Sequence, residues 1–164
     1  MTHPTWELAV DEAALILTPC PGTKGVSLET SLRQLKAQGV AAFVTAINTS
    51  EMQEKGVLAL GEMTQALDMQ WFHLPIEDDC APDADFASQW ASIGPQLQSL
   101  LDNKQKIALH CMGGSGRTGL LAAHLLLDRG WDINTIIERV QVLRPGAFTK
   151  PVQCDYIQAV AQSA

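Results

Sequence analysis

Apolar residues recur along this chain at two different spacings, and the change from one to the other marks out its elements. Residues 6–17 (WELAVDEAALIL) are apolar at both ends with Asp11 and Glu12 between, the pattern of two short strands joined by a turn. Pro19, Pro21, Gly22 and Gly25 then close the segment. Over residues 28–38 the spacing lengthens to that of a helix: Leu28, Leu32 and Leu35 share a stripe, Ser27 is placed to cap the start and Gly39 to end it. The run VAAFVTAI at 40–47 is apolar almost throughout, as a strand covered on both faces of a parallel sheet must be. Ser50 and Gln53 have the spacing of a capping box, which predicts helix to about residue 68, divided by Gly56 and Gly61.

In the second half, WFHLPI at 71–76 predicts a strand and EDDCAPD a polar loop. A helix is predicted over 84–101, bent or split at Pro95, where the chain lacks an N–H. Residues 106–110 predict a short strand, and 117–128 a helix apolar almost all round and therefore buried, stopped by Gly130. Asp132 can cap a helix through 143 whose core stripe is Ile133, Ile136, Ile137, Val140 and Leu143; Arg144, Pro145 and Gly146 break it, and 150–161 predicts a closing helix. Strands alternating with helices predict an α/β fold, a single domain over residues 1–164 with a mainly parallel central sheet flanked by helices. Such sheets place ligands at the C-terminal ends of their strands, and the Gly-rich stretch HCMGGSGRTG at 110–119 falls at such an end.

Composition narrows what that stretch can serve. With 164 residues, 46% apolar, the chain can bury one core without disulfides or metal. A formal charge of −7 and no Lys/Arg cluster argue against nucleic acid. No run is long and apolar enough to span a membrane and MTHPTWELAV is not a secretory leader, so the expectation is a cytoplasmic protein without a membrane partner. Cys20, Cys80, Cys111 and Cys154 are scattered with no CxxC pair, which disfavours both a zinc site and a disulfide framework. His73 and His124 are read as packed polar residues, and neither metal nor cofactor is expected. Nothing in the sequence speaks to oligomeric state.

A strand ending at Cys111, followed by Met112, Gly113, Gly114, Ser115 and Gly116 and by Arg117 opening a helix, is suited to hold an oxyanion. Loop N–H groups can turn inward, the helix start adds partial positive charge, and all of these favour a thiolate at Cys111. The planar fork of Arg117 can bind two phosphoryl oxygens in a way lysine cannot. Thr118 is placed to hydrogen-bond the Cys111 sulfur, and His110 and Ser115 to hold the loop in shape. A leaving oxygen needs a proton, and Glu77, Asp78 and Asp79 are the supply on a separate loop. Two other classes remain open on these residues: a module that binds phosphorylated partners without turnover, and a thiol enzyme such as a sulfurtransferase or arsenate reductase.

His110-Cys111-x5-Arg117-Thr118 resembles the Cys-x5-Arg signature of the protein tyrosine phosphatase superfamily. With LPIEDDCAPD upstream, the chain is similar to the cyclin-dependent kinase inhibitor 3-type dual-specificity phosphatases, and the likeness runs from the turn at 17–22 to Gln153 and Tyr156. The resemblance implies a dual-specificity phosphatase-like fold. It implies a phosphorylated protein or peptide as substrate, phosphotyrosine in the first place with phosphoserine and phosphothreonine open, cleaved through a cysteinyl-phosphate intermediate. In that family a Pro-Ile-x-Asp run carries the general acid on its fourth residue, here Asp78, with Asp79 directly beside it. The loop lacks the lysines of phosphoinositide-directed relatives. Gln153 matches a family glutamine but is equally ordinary as an exposed residue of a first helical turn, and stays outside the expected site. A reversible Cys80–Cys111 disulfide is conceivable on oxidation, an inert Cys80 the better expectation.

Overall fold

In the computed structural model, which describes residues 2–163, five strands form one sheet in the order β1-β2-β5-β3-β4. The strands are β1 (Trp6–Val10), β2 (Ala13–Thr18), β3 (Val40–Thr45), β4 (Gln70–His73) and β5 (Lys106–His110). β1 and β2 form an antiparallel hairpin that turns at Asp11, whose φ of 54° is the left-handed value a short polar side chain tolerates. Every other pairing is parallel, so the sheet is mainly parallel, as its continuous apolar runs predict. β5 lies between β2 and β3, and the last four of its residues are buried.

Seven helices complete the molecule among the described residues: α1 (Leu28–Ala37), α2 (Thr49–Glu54), α3 (Leu60–Ala66), α4 (Ala84–Asp102), α5 (Gly116–Asp128), α6 (Ile133–Leu143) and α7 (Pro151–Ser163). α5 is central: it contacts β2 and β5 as well as α4, α6 and α7, while α1 and α3 pack on each other and on β3 and β4. Ten of the thirteen residues of α5 are buried, which is why its sequence has no polar face.

Three local expectations are corrected and one, at Pro95, is narrowed. The capping box of α2 is formed by Asn48 and Glu51, not Ser50 and Gln53: Asn48 Oδ1 accepts from Glu51 N at 2.8 Å and Glu51 Oε1 from Asn48 N at 3.1 Å. The helix therefore begins at Thr49 and carries Ser50 in its first turn. It ends near Gly56, whose φ is 70°, but Gly61 lies inside α3 rather than between helices. There a Cβ would stand 2.6 Å from the Trp71 ring, so Gly61 is a contact glycine. β4 stops at His73; Leu74 and Ile76 still donate to Thr45 O and Ala46 O, but Pro75 between them has no N–H to continue a ladder. Helix α4 is not split at Pro95: the residue before it is Gly94, which has no Cβ to meet the proline ring.

Candidate active site

The stretch from His110 to Arg117 is held from two sides. From below, Gly114 adopts φ 81° and lies so close to the end of β2 that a Cβ there would stand 2.7 Å from Pro19 N and Thr18 C, so no other residue fits. From the same side, Cys20 N donates to Met112 O at 3.0 Å. From outside, Arg144 donates through Nε to Gly114 O at 3.1 Å and through its terminal nitrogen to Gly113 O at 2.8 Å. Its guanidinium in turn lies 3.9 Å from the centre of the Trp6 ring. With three loop carbonyls engaged away from the cysteine, the Gly114 N–H is left to face the sulfur. Gly114 N donates to Cys111 Sγ at 3.3 Å, and Thr118 Oγ1 donates to it at 3.1 Å. Ser115 stands at the N-cap of α5 without a side-chain capping bond.

His110 fixes the strand end. Its Nδ1 lies 2.9 Å from Cys111 O, which can only accept, so Nδ1 carries the proton and Nε2 accepts from Thr45 Oγ1 at 2.8 Å. Thr45 Oγ1 itself accepts from Trp71 Nε1 at 2.8 Å. This chain from β4 through β3 to β5 keeps the ring neutral; burial pushes the His110 pKa down to about 3.

Arg117 is 2% exposed, and its partner is Glu51, which sequence reasoning missed. The two terminal nitrogens of Arg117 meet Glu51 Oε1 at 2.8 Å and Oε2 at 2.9 Å, and one of them also donates to Ile76 O at 3.0 Å. Burial disfavours both charges. The Glu51 hydrogen bonds nonetheless hold the arginine above its ordinary pKa, and those of Arg117 and the Asn48 N–H hold Glu51 below the usual carboxylate range. The signal lay in Asn48 followed at i+3 by Glu51, a second capping-box spacing.

Asp78 Oδ1 stands 3.6 Å from a terminal nitrogen of Arg117, at a cleft of about 240 Å³ that Cys111, Gly113, Gly116 and Lys150 also line. Asp79 points elsewhere, into an ion pair with Lys150. Gln153, left outside the expected site because an exposed glutamine of a first helical turn is an equal reading, is 1% exposed in the wall of this cleft. Its Nε2 donates to Cys80 O at 3.4 Å and its Oε1 has no partner among the described residues. Cys80 is an exposed free thiol on the loop that carries Asp78. Cys20 is buried, and its pKa is pushed up to about 12 by that burial and by the negative charges of Cys111 and Glu51. His124, as expected, is packed: it lies among Phe86, Trp90 and Tyr156, with Nε2 2.7 Å from Tyr156 Oη. Among the described residues no group of three His, Cys, Asp or Glu side chains is set to hold a metal ion, and no helix is long and apolar enough to cross a membrane.

Residues 22–131 match the family described as "Polymorphic toxin system, DSP-PTPase phosphatase". The chain is 33% identical over 86 residues to the tyrosine-protein phosphatase CDC14 of Saccharomyces cerevisiae, covering 52% of this chain and 15% of that protein. It is 32% identical over 101 residues to the cyclin-dependent kinase inhibitor 3 of Rattus norvegicus, covering 62% of this chain and 46% of that one. The chain thus spans less than half the length of these relatives. Among solved structures, a kinase-associated phosphatase with serine in place of its catalytic cysteine superposes with a TM-score of 0.88 at 24% identity, over 99% of this chain and 96% of that one. At that identity the likeness shows a shared fold.

Proposed function

The chain belongs to the DSP-PTPase phosphatase family, and from that membership we propose that it is a cysteine-dependent protein phosphatase that hydrolyses phosphotyrosine, with phosphoserine and phosphothreonine open to the same pocket. The observation that carries this reading is the convergence of Cys111 Sγ, the Gly114 N–H, the Arg117 guanidinium and the Asp78 carboxyl on one cleft. Cys111 attacks phosphorus in line. The amides from Met112 to Gly116 and the guanidinium of Arg117, oriented by Glu51, hold the non-bridging oxygens as their charge grows. Asp78 leaves Arg117 to the phosphoryl group and protonates the departing oxygen; in the second step it takes a proton from the water that splits the cysteinyl phosphate. Thr118, donating to Sγ, stabilises the thiolate as it departs. Asp79, engaged by Lys150, is already committed to an ion pair, which supports Asp78 as the acid.

The rat relative's name ties that protein to a cyclin-dependent kinase; what we carry over is only the class, a phosphorylated protein or peptide. Four free cysteines fit a reducing cytoplasm, where a catalytic thiol survives. No cofactor enters the proposed chemistry, and no nucleic-acid or membrane partner is proposed. The test is hydrolysis of p-nitrophenyl phosphate and of a phosphopeptide panel by the full chain in chelator. Turnover by the native chain and none by Cys111→Ser, which should still retain its phosphopeptides, is the expected result. Activity that survives Cys111→Ser refutes the mechanism, and binding without turnover by the native chain would make it a phosphoprotein-binding module.

A further inference from the structure

The loop that carries Asp78 is tied down on both flanks. On one side both Glu77 oxygens accept from Asn48 Nδ2 at 3.3 Å, and Asn48 caps the helix that carries Glu51 to Arg117. On the other side Asp79 pairs with Lys150, and Cys80 O accepts from Gln153 Nε2; Lys150 immediately precedes α7 and Gln153 lies in its first turn. Between these ties the backbone reverses at Asp79, whose φ is 62° and whose N–H donates to Asp78 Oδ1 at 3.0 Å. Residue 79 thus faces α7 while residue 78 faces the cleft.

We propose that Lys150 is a positioning residue for the general acid: by holding the Asp79 carboxylate against the start of α7, it keeps the Asp78 carboxyl over the phosphate cleft. The inference rests on the reading of Asp78 as the acid of phosphoryl transfer. Lys150 is 47% exposed and Asp79 64%, so the pair has little to do with holding the fold together. It can still govern how often the loop is docked, and a step that needs the docked loop proceeds in proportion to that fraction. Asp78 also serves the later hydrolysis of the cysteinyl phosphate, but kcat/KM reports only the steps up to formation of that intermediate, and among those only protonation of the leaving group needs Asp78 delivered in this way. The effect of Lys150 must therefore grow as the leaving group becomes more basic.

The experiment compares kcat/KM of the full chain for 2,4-dinitrophenyl phosphate, whose phenolate departs unaided, with that for phenyl phosphate, whose phenol resembles tyrosine with a pKa of about 10. Lys150→Met and Asp79→Asn are each expected to lower kcat/KM for phenyl phosphate about five- to tenfold relative to that for the dinitrophenyl ester, a part of the roughly hundredfold that an acid can supply. Any weaker binding of phosphate by the loss of the Lys150 charge falls on both esters and leaves this ratio alone. Asparagine is chosen because it tolerates a positive φ. The double variant should be no slower than either single one, because both remove the same contact, and Lys150→Arg should restore phenyl phosphate turnover. Equal losses on both esters, no loss on either, or losses that multiply in the double variant would overturn the role. A native chain that cleaves the dinitrophenyl ester through Cys111 keeps the phosphatase reading intact in all of those cases. A native chain that cleaves neither ester removes that reading and this role together.

Discussion

At the scale of single residues, the side chain that most alters the sequence-based picture is Glu51. Arg117 is buried, and an unpaired guanidinium there would cost several kcal/mol. The bidentate carboxylate both offsets that cost and fixes the plane of the fork, leaving Nε unengaged on the edge that the proposed chemistry would turn to a phosphoryl oxygen. Glu51→Gln keeps the shape but can accept through only one oxygen. We expect the variant to fold, with unfolding free energy lower by about 2 kcal/mol, discounted from the buried-pair range because Glu51 is 20% exposed. Its kcat for an aryl phosphate should fall about tenfold or more, since a misaimed fork loses transition-state contacts. An unchanged kcat in a correctly folded variant would mean that the loop alone aims Arg117. That Cys111, Arg117 and Asp78 share one cleft was legible in sequence because the cysteine, its Gly-rich loop and the arginine lie in one short run and the carboxylates in another, each at a strand end. Glu51, Arg144 and Trp6 were not, because each acts across the fold on a site remote in sequence.

Elements show the same division between local and long-range information. Helices whose apolar stripe and cap lie within one turn of each other, such as α1 with Ser27 and α6 with Asp132, begin where the pattern places them. Glycine is harder to read, since one residue type both ends helices and admits neighbours. Gly56 does the first and Gly61 the second, and only the position of Trp71, ten residues on and in another element, tells them apart. Gly61→Ala tests this. Alanine is ordinarily the better helix former, so a solvent-facing site would gain stability; here the added methyl meets a ring held by its bond to Thr45. We expect chemical denaturation to show a loss of about 1–3 kcal/mol. Because Trp71 and Thr45 lead to His110, kcat should fall as well. A stabilised variant would show that the Trp71 ring can step aside freely.

For the whole molecule, the buried titratable groups define a pH range in which the fold holds best. His110 and His124 are kept neutral by burial, with pKa values pushed down to about 3 and about 4. An unfolded chain protonates the same rings near pH 6.5. Between those values the unfolded state binds more protons, so stability rises with pH there and falls as pH drops below about 6.5. One proton corresponds to about 1.4 kcal/mol per pH unit, so the two rings together give a slope of roughly 3 kcal/mol per unit near pH 5. On the alkaline side, burial pushes Cys20 and Tyr156 up to about 12, from ordinary values of 9.0 and 10.0. The unfolded chain then loses protons first, and stability declines above about pH 9. Urea unfolding from pH 4.5 to 10.5 should trace a plateau between about pH 7 and pH 9 with a fall on each side, the acid one steeper. A free energy that stays flat from pH 5 to 6.5 would mean that these rings take up protons as readily in the folded chain as in the unfolded one. In that case the chain from Trp71 through Thr45 to His110 would not be what keeps the strand end at Cys111 in place.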